Sequence, residues 1–136
     1  MAVALMAWAV VLGGCLQYQR DELASAEAIA KLPTERLVAS YGNARRLGRK
    51  DDTILNELAE REGWNEETKA TLRKGTVYPG YTRTHLIIAR GHPNRVTRST
   101  TPLVGYTESW IYRRGRFDFK TFYLVDDVVT SWYSSY

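Results

Sequence analysis

The stretch YTESWIYRRGRFDFKTFYLVDDVVTSWY, residues 106–133, decides the fold class. It is dense in aromatic and β-branched residues, which suit a pleated, half-buried surface. Strands are predicted over 106–113, 117–125 and 128–133, preceded by another over 95–99. Side chains alternate across a strand, so Tyr106, Glu108, Trp110 and Tyr112 share one face and Thr107, Ser109, Ile111 and Arg113 the other. Arg114-Gly115 and Asp126-Asp127 are turn-type pairs between alternating runs, which predicts an antiparallel meander of three to four strands. The two aspartates also form a carboxylate pair, but two acids between two strands are the ordinary chemistry of a hairpin turn. A sheet with one aromatic face buries that face only, so something must cover it.

The cover is supplied upstream. Residues 22–32 are rich in Ala, Glu and Leu and predict a helix. After Pro33, Thr34-Glu35 opens a second, with Leu37, Val38 and Tyr41 along one side and Gly42-Asn43 expected to end it. Arg45 to Lys50 reads as a basic loop. Asp51, Asp52 and Thr53 offer caps for a third helix in which Ile54, Leu55, Leu58 and Ala59 recur at helical spacing, Glu57 pairs with Arg61, and Gly63 ends the run. Asn65, Glu66 and Glu67 open a fourth helix that Arg73, Lys74 and Gly75 close, in keeping with the macrodipole. Thr82 caps a fifth, which ends near Arg90-Gly91 because Pro93 cannot continue it. The expected architecture is therefore α+β: N-terminal helices packed on one face of a three- to four-stranded antiparallel meander, a two-layer sandwich.

The 136 residues suffice for one domain, and a chain 44% apolar and 25% charged is not a disordered one. The net charge of +4 conceals an asymmetry, because residues 69–136 hold 11 basic and four acidic side chains. Such an excess solvates a face or attracts an anionic partner.

Cys15, the only cysteine, excludes an internal disulfide and any multi-thiol zinc site. It follows fourteen residues without a charge. That run is shorter than the roughly 17–25 residues a spanning helix needs, yet it fits the apolar region of a signal peptide, although no Lys or Arg lies near Met1. Leu12-Gly13-Gly14-Cys15 resembles a bacterial lipobox, which makes Cys15 a lipidation site and its acyl chains a membrane anchor. The other reading folds residues 2–12 into the core with Cys15 as a small apolar side chain. Leu16 after the cysteine is not the aspartate of inner-membrane retention, so by resemblance to enterobacterial sorting the outer membrane is expected.

Catalytic groups are sparse. His85 and His92 lack the i, i+4 spacing of paired metal ligands, so no metal is expected. No GxSxG or HExxH occurs, and the glycines are too widely spaced for a phosphate-cradling loop. Neither a catalytic residue nor a cofactor is predicted. Basic residues interleaved with aromatics around 109–125 could stack on bases, but alternation on a half-buried sheet accounts for them, and no RNP-like run is present.

In order along the chain, Gly75, then Gly80-Tyr81-Thr82, then Arg90-Gly91-His92-Pro93, then Trp110-Ile111-Tyr112 and a final hairpin resemble the SmpA/OmlA (BamE-like) family of small outer-membrane lipoproteins. The resemblance covers residues 72–133. Tyr81 stands where the family usually has Met and Arg90 where it usually has Leu. The layout expected is a signal peptide at 1–14, lipidated Cys15 and a tether at 15–21, and one domain at 22–136, in which 22–68 is a helical extension and 69–136 the family-like region. The resemblance implies a non-enzymatic, lipid-anchored module at the periplasmic face of the outer membrane that binds an envelope protein complex. Tyr78, Tyr81, Arg83, His92 and Arg95, flanking the fifth helix, are the residues nominated for that contact, unless the tyrosines are core and the charges merely solvate. The rival expectation is a soluble basic module binding nucleic acid or an acidic protein.

Overall fold

A computed structural model describes residues 25–135. The expected signal peptide, Cys15, the tether and the start of the first predicted helix lie outside the described residues.

Among the described residues five helices precede the sheet: α1 Ala26–Ala30, α2 Thr34–Arg46, α3 Asp52–Glu62, α4 Glu66–Lys74 and α5 Arg83–Arg90. The predicted caps form. Asp51 accepts from the amides of Thr53 and Ile54, and Asn65 accepts from Thr68. Gly63 and Gly75 close α3 and α4 in the left-handed conformation. Arg61 pairs with Glu57 at 2.8 Å as expected, and its guanidinium also reaches the carbonyls of Ala30 and Leu32. It thereby satisfies the orphan acceptors at the end of α1 and joins that short helix to α3.

Gly42 does not end α2. It lies buried inside the helix, where an added Cβ would stand 2.6 Å from Ile87 Cγ2 and 3.0 Å from His92 Nε2. The missing side chain lets α2 and α5 cross closely, so Arg45 and Arg46 are helical and the basic loop begins only at Leu47.

The sheet follows as β1 Arg95–Thr101, β2 Gly105–Arg113, β3 Phe119–Val125 and β4 Val128–Ser135, in the order β1-β2-β3-β4 with every pair antiparallel. Asp126 and Asp127 make the hairpin turn with φ of 48° and 67°, as a two-residue primed turn requires. Arg114-Gly115 is not a two-residue turn. Both amides donate to the Asp118 carbonyl, which lengthens the loop, moves the start of β3 to Phe119 and leaves Phe117 exposed.

The helices pack on the sheet face that carries Glu108, Trp110, Tyr112, Phe122, Leu124 and Val129, and one contiguous core unites these apolar residues with Leu37, Tyr41, Leu58, Leu72 and Leu86. The residues between the fourth and fifth helices continue the sheet briefly. Gly80 N–H donates to the Val129 carbonyl and Val129 N–H to that of Tyr81, so the approach to α5 is paired to β4. Residues 25–135 form a two-layer α+β fold, and none of the described elements covers the far face of the sheet.

Candidate interaction surface

Alternation turns Glu108 inward on β2, where its side chain is only 1% exposed. A buried carboxylate must be paired, and here every neighbour contributes. Tyr106 and Trp110, two residues to either side on the same face, donate from Oη at 2.6 Å and from Nε1. Arg83, the first residue of α5, donates to Glu108 Oε1 and at 2.7 Å to Asp127 in the β3–β4 turn. Arg98, opposite Glu108 on β1, stands 3.6 Å away. Burial pushes the Glu108 carboxyl up, but the hydrogen bonds from Tyr106 and Trp110 and the charges of Arg83 and Arg98 outweigh it and hold the group below the usual carboxylate range. One carboxylate thus ties a helix start to β1 and β2, and Arg83 extends the link to the β3–β4 turn.

The end of α5 fixed in this way carries a row of rings. Tyr78, 53% exposed, meets Tyr81 edge to face at 5.7 Å; Tyr81 stacks on His85 at 4.6 Å; His85 lies 5.0 Å from Trp64. His85 also closes the capping box of α5, its Nδ1 accepting from Thr82 N–H at 3.0 Å. That bond needs the neutral ring, and burial pulls the imidazole below its ordinary value.

The nominated residues therefore divide. Tyr78 and Tyr81 come together in the aromatic row, with Arg83 beside them, although its guanidinium is committed to Glu108 and Asp127. His92 and Arg95 lie beyond the opposite end of α5, about 12 Å along a helix of eight residues. His92 is half-buried against α2, with Nε2 3.3 Å from the Ala39 carbonyl, and Arg95 is exposed at the start of β1. Sequence reasoning missed two ring-bearing members of the row. Trp64, between Gly63 and Asn65, was not singled out, and His85 was weighed only as a metal ligand. The available signal was the T-x-x-H spacing at 82–85, which places a side-chain acceptor at the third helical position.

Among the described residues no three His, Cys, Asp or Glu side chains are grouped to hold a metal ion, and no helix is long and apolar enough to cross a membrane. No protein-family model, curated protein or solved structure matches the chain.

Proposed function

We propose that this protein is a lipid-anchored, non-enzymatic interaction module of the bacterial envelope, tethered through Cys15 at the periplasmic face of the outer membrane. The observation that carries the interaction role is the row Tyr78–Tyr81–His85–Trp64. Aromatic rings on rigid supports give large contact area at small entropic cost, which is why they concentrate in protein interfaces. Here the support is the capped start of α5 and the buried Glu108 brace. The anchor rests on Leu12-Gly13-Gly14-Cys15. Tethering raises the local concentration of the surface at the membrane, so a modest contact with an envelope complex suffices.

Site-specific photo-crosslinking in intact cells tests this reading. A crosslinker in place of exposed Tyr78 is expected to yield one discrete adduct with an envelope protein, and the same group at exposed Thr130 on β4 is expected to yield none. Equal, diffuse labelling from both positions would remove the aromatic row as a docking surface.

A further inference from the structure

Three helix C-termini converge at the other end of α5. Arg45 Nη1 donates to the Arg73 carbonyl at 2.7 Å, which brings the last turn of α2 onto that of α4. Gly75 and Gly91 make the approach possible. A Cβ on Gly75 would stand 3.0 Å from the Ala89 carbonyl, and one on Gly91 would stand 3.0 Å from the Gly42 carbonyl. Each helix ends in basic residues, and the end of β2 adds Arg113 and Arg114. The result is a cleft of about 440 Å³ whose charged lining is Arg45, Arg46, Lys74, Arg90, Arg113 and Arg114, with no carboxylate among the described residues of its walls.

Basic residues at helix C-termini normally answer the macrodipole, but that effect is too small here. Three termini of about half a negative charge each offset fewer than two of six cations. Ion pairs do not answer them either, since those among the described residues all lie elsewhere. Arg90 is the most telling member. It is half-buried, faces the Phe122 ring at 6.0 Å, and is pulled below its ordinary value by burial and by the charge of Arg114 beside it. Across Arg90, Tyr112 and Arg114 a smaller recess of about 210 Å³ adds Lys120, likewise pulled down by burial and then by Arg90 and Arg114, and one acid, Asp118. Arg90 and Lys120 are partly desolvated and are repelled by the cations around them, and an anion placed there relieves both costs.

We propose that this cleft binds an anion carrying phosphate monoester groups. Its volume is that of a small-molecule site, and guanidinium forks from two directions match phosphate oxygens bidentately. The site is independent of the lipid anchor and of the aromatic row. The ligand is either a soluble phosphate ester or the phosphorylated headgroup of a lipid.

Titration calorimetry of the full chain in nonionic detergent at physiological ionic strength separates the two sources, with a hexose bisphosphate as the soluble probe and micelles doped with short-chain phosphatidic acid as the lipid probe. Saturable binding of at least one probe is expected. Whichever binds more tightly identifies the source. Arg114→Gln, at an exposed position, and Arg90→Gln are each expected to weaken it about tenfold or more, whereas Lys31→Gln, which removes the same charge from α1's exposed end, should not change it. If Arg90→Gln fails to fold, Arg114→Gln decides. The proposal is overturned if neither probe binds, or if Lys31→Gln weakens binding as much as the cleft variants do.

Discussion

Glu108 shows how one residue can set the orientation of a layer. Its inward position follows from β-strand alternation, and the carboxylate survives burial only because Tyr106, Trp110, Arg83 and Arg98 surround it. Glu108→Gln should cost about 2–3 kcal/mol, because it removes the charge that Arg83 and Trp110 answer while leaving them in place. The same group makes stability pH-dependent. Its folded value lies below the unfolded value of about 4.3, so the unfolded state binds more protons in the window between them. The contribution is therefore complete above the unfolded value and is lost as pH falls through the lower folded one. Urea midpoints measured from pH 6 downward should fall less steeply in Glu108→Gln than in the parent, and parallel curves would contradict the assignment. The inward Glu was legible from the sequence, as a polar side chain on an aromatic face. Its partner was not, because Arg83 lies 25 residues away and only the packing of α5 across the sheet brings them together.

At the scale of elements, local chemistry was read well where the signal is local. The caps at Asp51, Asn65 and Thr82 and the terminating glycines at 63 and 75 each act within one turn, and each forms as expected. Gly42 was misread because a glycine that ends a helix and one that lets another helix approach look alike until the neighbour is known. The loop after Arg114 was misread for a related reason, since Gly115 marks a bend without fixing how many residues complete it. Gly42→Ala puts two effects in competition. Helix propensity favours alanine by about 1 kcal/mol, while a Cβ 2.6 Å from Ile87 Cγ2 overpacks a buried crossing at about 1–3 kcal/mol. The variant should be destabilised by up to about 2 kcal/mol, with an unchanged denaturant slope; a higher midpoint would mean that α2 and α5 do not cross as closely as described.

For the whole molecule, the α+β architecture was legible because two periodicities divide the chain, helical before Pro93 and alternating after Arg95. The two surfaces were legible only in part. Tyr78 and Tyr81 could be nominated from their place before a capped helix, whereas the cationic cleft assembles residues from positions 45 to 114 that no local pattern groups. In the proposed account the two surfaces occupy opposite ends of α5 on a domain that Cys15 holds at a membrane, and the anchor determines which partners either surface meets. Its most direct test is the intact mass of the chain recovered from a bacterial membrane fraction, compared with Cys15→Ala. The account predicts a polypeptide that begins at an acylated Cys15, and a variant that keeps Met1 and carries no lipid. An unmodified chain retaining Met1 in the soluble fraction would contradict it.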